Sequence, residues 1–353
     1  MRPARDTNRI IACVGLLALV ACGEGATDQA SSRRGAAEAT ALAGEPIQPL
    51  EAPGGLDPRM VELGNLLFND PRLSADGTVA CASCHVIAEG GDDGRARSVG
   101  IRRQLGGINA PTVINSGLNF VQFWDGRAAT LEEQAEGPVA HPKEMGARWD
   151  DVVRVIAADS NYARRFAALF PDGVTKANVT RAIATFERTL VAAGSPFDRW
   201  LRGDQSALDA EEVAGYELFK SVGCIACHQG RNVGGNMYQR FGVLGDYFRD
   251  RGHLTDEDLG RFNVTQNESD RFVFRVPSLR MVEHTAPYFH DGSAATLEDA
   301  VRVMVRYQLG RRLADDEIAR IVRFLRTLDG PSPRAIPPEV GPLEPPSGSV
   351  ETR

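Results

Sequence analysis

The chain has 353 residues, of which 25% are charged, and its formal net charge is −7. This length is sufficient for two domains of ordinary size, and 42% hydrophobic residues is typical of a soluble globular protein. The negative charge balance argues against a general nucleic-acid-binding role.

Residues 1–22 have the pattern of a bacterial export signal. Three arginines precede an apolar run over residues 10–21, which is too short to span a membrane as a helix. Residues 19–23 resemble a lipoprotein cleavage box, which predicts that Cys22 is lipidated and becomes the first residue of the mature protein. The alternative is an ordinary signal peptide in which Cys22 has no role. Residues 23–50, rich in Ala, Gly, Ser and Glu, are predicted to form a flexible tether.

A predicted helix leads to the first motif that carries chemistry. Met60, Leu63 and Leu67 have helical spacing, and Asp70-Pro71 is expected to end this helix. Residues 81–85 then read Cys-Ala-Ser-Cys-His, which is the attachment pattern of a c-type haem.

The same pattern recurs as Cys-Ile-Ala-Cys-His at residues 224–228. Two cysteines separated by two residues can form thioethers with both vinyl groups of one porphyrin, and the histidine that follows can ligate the iron. A thioredoxin-like redox pair does not need this histidine, and a zinc site usually groups four ligands. Cys13 and Cys22 fall in the export signal, which leaves no cysteine for a structural disulfide. We therefore predict two covalently bound haem c groups, held by the following residues: Cys81, Cys84, His85, Cys224, Cys227 and His228.

The remaining elements are predicted to be helices and loops. Residues 86–118 are rich in glycine and are expected to form long loops over the first haem. Helices are predicted over 131–136, 149–158, 177–192, from a cap at Ser206 to 219, from a cap at Thr296 through 304, and over 315–328. No alternation typical of an extended sheet is present, so the fold class is mainly α. Residues 331–353 are rich in proline and are predicted to form an extended tail.

A weak repeat precedes the two motifs. Gly64-x-x-Leu67-Phe68 lies before the first, and Gly215-x-x-Leu218-Phe219 lies before the second. The repeat predicts two cytochrome c-like haem domains, packed together with long connecting loops. We assign residues 51–200 to the first domain and residues 201–330 to the second.

Several further motifs together resemble the bacterial di-haem cytochrome c peroxidases over residues 56–328. These motifs are Asp70-Pro71-Arg72-Leu73-Ser74, Asn109-Ala110-Pro111-Thr112, Gln122-Phe123-Trp124-Asp125-Gly126-Arg127, Gly137-Pro138 to Glu144-Met145-Gly146, and Ala286-Pro287-Tyr288-Phe289-His290-Asp291-Gly292. The resemblance implies an enzyme that reduces hydrogen peroxide to water. The first haem would react with peroxide, and the second would receive electrons from a small redox protein, a cytochrome c or a cupredoxin.

The resemblance also implies roles for particular residues. By motif match, Glu144 would transfer a proton between the two peroxide oxygens, and Gln134 would hydrogen-bond the peroxide beside it. Trp124 matches the family's tryptophan between the haems, where it would carry electrons. Met304 matches the sixth ligand of the second iron, and Met/His ligation raises the reduction potential of a haem.

The residue patterns alone leave other interpretations open. Without the family match, Glu144 is an ordinary solvated carboxylate, Trp124 is a core aromatic residue and Met304 fills space on the apolar face of a helix. Competing methionines for the iron are Met145, Met237 and Met281.

The resemblance further implies a calcium ion and a homodimer, whereas the export signal and the c-type haem motifs predict a periplasmic location. Calcium would be bound between the domains by Asn109 and by main-chain oxygens of Thr285 and Pro287. The alternative at these positions is a pair of ordinary turns that contain proline. A lipidated Cys22 would attach the protein to a membrane, and Gly23 after it favours the outer membrane.

One position departs from the family pattern. In members that rest inactive, a histidine in the loop after the first haem motif ligates the first iron until the second haem is reduced. Ile101 stands at this position, and isoleucine cannot ligate iron. The histidines outside the two motifs, none of them in this loop, are His141, His253, His284 and His290. We therefore predict an open or water-bound sixth site that needs no reductive activation.

Two other functions remain to be weighed. A related di-haem enzyme oxidises tryptophans of a partner protein and has a tyrosine where this chain has Met304. A non-catalytic electron-transfer cytochrome would need strong ligands on both faces of both irons. Ile101, Gln134 and Glu144 argue against that arrangement.

Overall fold

The computed structural model describes residues 44–333. The predicted export signal, the lipidation site Cys22, most of the tether and most of the Pro-rich tail lie outside this range. Within it, no helix combines the length and the apolar character that crossing a membrane requires.

Helices dominate the part of the chain that is described, which confirms the mainly α fold class. The α-helices are α1 (Pro58–Phe68), α2 (Leu131–Ala140), α3 (Trp149–Ala158), α4 (Ser160–Leu169), α5 (Lys176–Glu187), α6 (Pro196–Leu201), α7 (Ala210–Val222), α8 (Tyr247–Arg251), α9 (Phe262–Thr265), α10 (Leu297–Val303) and α11 (Asp315–Arg326). Between residues 44 and 333 the named strands are β1 (Tyr238–Arg240) and β2 (Val273–Arg275), which form an antiparallel pair with Gln239 opposite Phe274.

Capping groups explain two differences from the predicted helices. The helix α4 was not predicted, and it begins directly after α3 because the Asp159 carboxylate accepts hydrogen bonds from the N–H groups of its first turn. The prediction that Ser206 caps α7 is wrong. Asp209 is the cap, and the Glu212 side chain accepts from the Asp209 N–H in return, whereas Ser206 lies in a separate 3₁₀ turn.

In the first half, α1 packs on α5 through a glycine. A Cβ on Gly64 would lie 2.0 Å from the Ala182 carbonyl oxygen, so only glycine permits this approach. One turn later the rings of Phe68 and Phe186 stand 5.2 Å apart. This contact lies in the apolar core that also includes Cys81 at its edge, so the α1–α5 pair supports the first haem motif.

In the second half, α7 packs on α11 in the same way. A Cβ on Gly215 would lie 2.3 Å from the Arg320 carbonyl oxygen. One turn later the rings of Phe219 and Phe324 stand 5.1 Å apart. The sequence repeat therefore corresponds to a repeated helix–helix contact, in which each haem motif follows a helix anchored by its glycine.

Residues 45–50 pack against the second half, although the sequence analysis assigns them to the flexible tether. Ile47 and Leu50 are buried, the Leu50 N–H donates to Asp198 (2.9 Å), and Glu45 accepts from the Tyr216 hydroxyl (2.5 Å). Burying these two apolar side chains removes them from water, which stabilises the segment in this position. The prediction of a tether is therefore wrong for residues 45–50. The unit formed by the folded chain begins at Glu45, and the domain boundary after residue 200 stays a prediction.

Candidate functional site

The first Cys-x-x-Cys-His motif forms one 3₁₀ turn followed by its histidine. The His85 N–H donates to the Cys81 carbonyl oxygen (3.0 Å), and the His85 Nδ1 lies 3.0 Å from the Gly91 carbonyl oxygen. Because a carbonyl can only accept, Nδ1 carries the proton and Nε2 is left to ligate a metal. Burial lowers the pKa of His85, which keeps the imidazole neutral as ligation requires.

The second motif repeats this geometry. The His228 N–H donates to the Cys224 carbonyl oxygen (3.1 Å), and its Nδ1 lies 3.3 Å from the Val233 carbonyl oxygen. Burial lowers the pKa of His228 to about 4. Both histidines therefore present a neutral ring whose Nε2 is available.

The four cysteines of the motifs have the chemistry that thioether attachment needs. None of them forms a disulfide in the described residues. Burial raises the pKa of Cys81 and of Cys224 to about 12, so both side chains are protonated thiols near neutral pH. In residues 44–333 the cluster with three side chains placed to share a metal is Asp258, His290 and Asp291, which includes neither motif. The donor groups of both motifs therefore fit a covalently bound haem.

The second motif opens into a cavity with mostly apolar walls. Cys224, Cys227, His228 and Met304 all line it, so the structure brings together two thiols and both candidate iron ligands. Met304 begins a π-helical turn, Met304–Gln308, directly after α10. Wide turns of this type often occur at functional sites. The donor set fits a haem ligated by histidine and methionine.

The competing methionines lie in other surroundings. Met145 is buried in the core of the first half, and Met281 is buried with Ile114 and Ala192. Met237 is half-buried beside β1. Met304 is therefore the methionine that shares a cavity with His228.

The loop that follows the first motif packs closely on the loop that carries Glu144. The Ile101 N–H donates to the Glu144 carbonyl oxygen (2.8 Å), and a Cβ on Gly100 would lie 2.0 Å from the Lys143 carbonyl oxygen. Ile101 is 3% exposed and belongs to the apolar cluster that Cys81 contacts. Ile101 thus has a buried apolar side chain, and its N–H also helps to hold the Glu144 backbone.

Burial raises the pKa of Glu144, while the charges of His141 and Arg127 oppose this shift. The His141 Nδ1 lies 3.3 Å from the Glu144 Oε1, and the Glu144 side chain is 38% exposed. A carboxyl group can accept a proton and return it, and a raised pKa makes its carboxylate a stronger base than that of an ordinary glutamate. Gln134 lies half-buried on α2, and the structure contains no hydrogen bond from its side chain to Glu144.

Trp124 connects the predicted electron path with the predicted calcium ligands. Its Nε1 donates to the Asn109 carbonyl oxygen (3.0 Å), and Trp124, Asn109, Thr285 and Pro287 all line the same cavity as the second motif. The Asn109 Nδ2 donates to the Arg95 carbonyl oxygen (2.8 Å), which turns the amide oxygen to the opposite side. The structure therefore places these four sequence-predicted residues around one cavity.

Two buried charged residues on the cavity wall were not predicted. Arg275 is 3% exposed and Asp92 is 2% exposed. Burial lowers the pKa of Arg275 to about 10 and raises the pKa of Asp92 to about 6. Neither residue carries a spacing signal, because Asp92 lies in a glycine-rich loop and Arg275 lies in a three-residue strand.

The sequence is similar to known peroxidases over most of its length. A family model described as di-haem cytochrome c peroxidase matches residues 58–206. The chain is 51% identical over 292 residues to the cytochrome c551 peroxidase of Nitrosomonas europaea, covering 82% of this chain and 86% of that protein. It is 46% identical over 287 residues to the cytochrome c peroxidase of Escherichia coli, covering 81% of this chain and 61% of that longer protein.

A solved structure gives an independent likeness of the fold. The crystal structure of a MauG-like protein associated with microbial copper homeostasis superposes with a TM-score of 0.69 at 30% identity. The match covers 81% of this chain and 94% of that chain.

Proposed function

This chain belongs to the di-haem cytochrome c peroxidase family, and from that premise we propose how its two haem sites divide the work. The protein is a cytochrome c peroxidase: it reduces hydrogen peroxide to water with electrons from a cytochrome. In our proposal the motif at residues 81–85 holds the haem that reacts with peroxide. The motif at residues 224–228 holds the haem that accepts the electrons.

When bound, the haem at the first motif supplies the redox chemistry that cleaves the O–O bond of peroxide. Glu144 accepts a proton from one peroxide oxygen and returns it to the other, so that the departing oxygen leaves as water. Gln134 orients the peroxide by a hydrogen bond. Each turnover consumes one hydrogen peroxide, two electrons and two protons and releases two waters.

The residues of the second site serve electron transfer. His228 and Met304 would hold the iron of the second haem, and this pair of ligands would favour a high reduction potential. Trp124, on the wall of the same cavity, is the proposed route by which electrons continue toward the first haem. Its hydrogen bond to Asn109 holds the indole in one orientation.

The contrast between Met304 and Ile101 carries the proposal. The cavity of the second motif is lined by His228 and by a second candidate ligand, Met304. The loop that packs near the first motif has the aliphatic Ile101 instead. The first haem therefore keeps a position for peroxide and needs no reductive activation. Met304 also argues against oxidation of partner side chains, and Ile101 argues against a cytochrome without catalysis.

Peroxide consumption by the haem-loaded protein tests the proposal. A reduced c-type cytochrome is supplied as donor, and its oxidation is followed as peroxide is added. We expect two donor molecules to be oxidised for each peroxide consumed. Donor oxidation that does not depend on peroxide, or no consumption of peroxide with any cytochrome or cupredoxin, would remove the peroxidase assignment.

We also propose a calcium ion bound by Asn109 and by the main-chain oxygens of Thr285 and Pro287. Two observations support this site. All three residues line the same cavity, and the Asn109 Nδ2 bonds to the Arg95 carbonyl oxygen, so that the amide oxygen points the other way. Oxygen ligands suit this cation. Metal analysis after dialysis should return one calcium per chain, and chelation should slow electron transfer between the haems; a metal-free active protein would contradict the site.

The remaining proposals concern the setting of the enzyme. We propose a periplasmic protein anchored to the outer membrane through a lipid on Cys22, and a homodimer, on the basis of the export pattern and the family resemblance. Mass spectrometry of the mature N-terminus tests the lipid, membrane fractionation tests the location, and light scattering tests the dimer. An unmodified N-terminus or a monomer at micromolar concentration would remove the respective proposal.

A further inference from the structure

Arg275 is a buried cation without a buried anion. Its side chain is 3% exposed, and no carboxylate in residues 44–333 forms an ion pair with it. Burial is the main cause that lowers its pKa, and the opposing influence comes from Tyr238 and not from an acid. Buried charges are normally paired or bind a metal, so the lack of a partner needs an explanation.

A second buried arginine shows what full pairing looks like in this fold. Arg280 is 1% exposed, and its guanidinium donates to Asp198 (2.7 Å), to Ser195 (3.3 Å) and to the carbonyl oxygens of Gln48 and Arg231 (3.0 Å each). All three of its side-chain nitrogens are therefore used. Arg275 has one such bond, from its Nε to the Phe123 carbonyl oxygen (3.2 Å).

The position of Arg275 shows which group its two terminal nitrogens can reach. Arg275 lines the cavity that also contains Cys224, His228 and Met304. Asp92, the other buried charged group that lines this cavity, forms no ion pair or hydrogen bond with Arg275 within residues 44–333, and its Oδ1 accepts from the Gly94 N–H. Asp92 is therefore not the missing partner. A haem bound through this motif brings two propionate carboxylates into the same space.

The backbone contacts of Arg275 connect this position with the proposed electron path. The Arg275 N–H donates to the Trp124 carbonyl oxygen (2.8 Å), and its Nε bond goes to the preceding residue, Phe123. Strand β2 holds Arg275 opposite Tyr238 of β1. Its backbone is thus fixed at two places beside Trp124, and one hydrogen bond from Nε orients the guanidinium, so little conformational entropy is lost when it binds an anion.

We propose that the Arg275 guanidinium binds a propionate of the second haem, and that this ion pair raises the reduction potential of the haem. The inference rests on the proposed electron-accepting role of the second site. A planar guanidinium with two free nitrogens can hold a carboxylate by two parallel hydrogen bonds. Neutralising the propionate disfavours the extra positive charge of the oxidised haem, which is why the potential rises.

The midpoint potential of the second haem tests the proposal by a readout that is independent of turnover. Spectroelectrochemical titration of the loaded Arg275→Met variant should show a lower second-haem potential than the wild type, because the propionate charge is no longer balanced. Arg275→Lys keeps the positive charge and should retain most of the wild-type potential. Arg271→Met is the matched control, since Arg271 is paired with Glu268 (2.6 Å) and does not line the cavity.

The outcomes separate this proposal from its alternatives. An Arg275→Met potential equal to that of Arg271→Met would overturn it, as would an Arg275→Lys potential as low as that of Arg275→Met. If Arg275→Met does not bind haem, the redox-induced infrared spectrum of wild type and Arg275→Lys decides. A propionate carboxylate band that shifts in Arg275→Lys supports the ion pair, and an unchanged band contradicts it. The potential of the second haem can be measured even if the wild type does not turn over peroxide. Failure of the proposed function and failure of this inference can therefore be distinguished.

Discussion

The two haem motifs have nearly identical local geometry but different surroundings. Each follows a helix anchored by a glycine, and each histidine is oriented by a backbone carbonyl through its Nδ1. Around the second motif, a mostly apolar cavity gathers a methionine, a tryptophan and a buried arginine. Around the first, a closely packed loop carries Ile101 next to the acid Glu144. The attachment motif thus predicts a haem, whereas residues distant in sequence are the ones that we propose set its reactivity.

The largest expected effect is on the acid at the first site. Glu144→Gln removes the group that moves the proton, and loss of a general acid–base residue costs about 10²- to 10⁴-fold in rate. We therefore expect peroxide turnover to fall by that order while electron acceptance by the second haem is unchanged. Steady-state turnover and rapid-mixing reduction by the donor measure the two separately. Glu136→Gln is the control, because Glu136 is likewise half-buried but is paired with Lys176 (2.8 Å). Equal turnover in both variants would exclude Glu144 from catalysis.

The next largest effect is expected when the proposed methionine ligand of the second haem is replaced, which should lower the reduction potential of that haem. Met304→His replaces the thioether by an imidazole, which lowers the reduction potential of the haem relative to Met/His ligation. We expect donor-driven turnover to slow by on the order of tenfold or more, and the first site to react with peroxide as before. Potentiometry of the second haem provides the measurement. An unchanged potential would show that Met304 is not the ligand.

A smaller effect is expected when the first site is given a ligand. Ile101→His introduces an imidazole into the loop that packs on Glu144, and we expect it to occupy the sixth position of the oxidised first haem. The resting variant should react with peroxide roughly tenfold more slowly, with recovery after the second haem is reduced. Paramagnetic resonance of the oxidised protein should then show a second low-spin species. Ile101→Leu keeps the apolar packing and serves as the control; a histidine variant that behaves like it would weaken the comparison.

The smallest effect concerns pH. Glu144 must be ionised to accept a proton, and burial raises its pKa above the ordinary value of 4.5. Turnover is therefore expected to fall as the pH decreases through this raised pKa. The charge of His141 lowers the pKa of Glu144, so His141→Gln should raise it further and move the acid limb of the pH–rate profile to higher pH. An acid limb that moves to lower pH in His141→Gln would contradict this account of the electrostatics.

Regular structure with strong periodicity could be predicted from the sequence. The bounds predicted for α3 agree with the structure, and the cap at Thr296 is the one observed, with its side chain accepting from the Asp299 N–H. The helix α5 ends at Glu187 and not at residue 192, because the chain after it turns to bond with Asn115. That partner is distant in sequence, so helical periodicity contains no information about it.

The site could be predicted only where a motif or the family resemblance identified it. The cysteines and histidines follow from spacing alone, and Met304 follows from the resemblance. The π-helical turn at Met304 and the buried charge of Arg275 were missed. Both depend on which residues meet around a cavity, and a three-residue strand is too short for alternation to distinguish a buried arginine from an exposed one.

The central claim is that the first haem is ready for peroxide before any electron arrives, whereas the second haem is already fully ligated. Rapid mixing of the fully oxidised, haem-loaded protein with one equivalent of hydrogen peroxide tests it most directly. We predict an immediate change in the absorption of one haem, at the same rate with or without prior reduction of the second haem. A spectrum that stays unchanged until the second haem has been reduced would contradict the account.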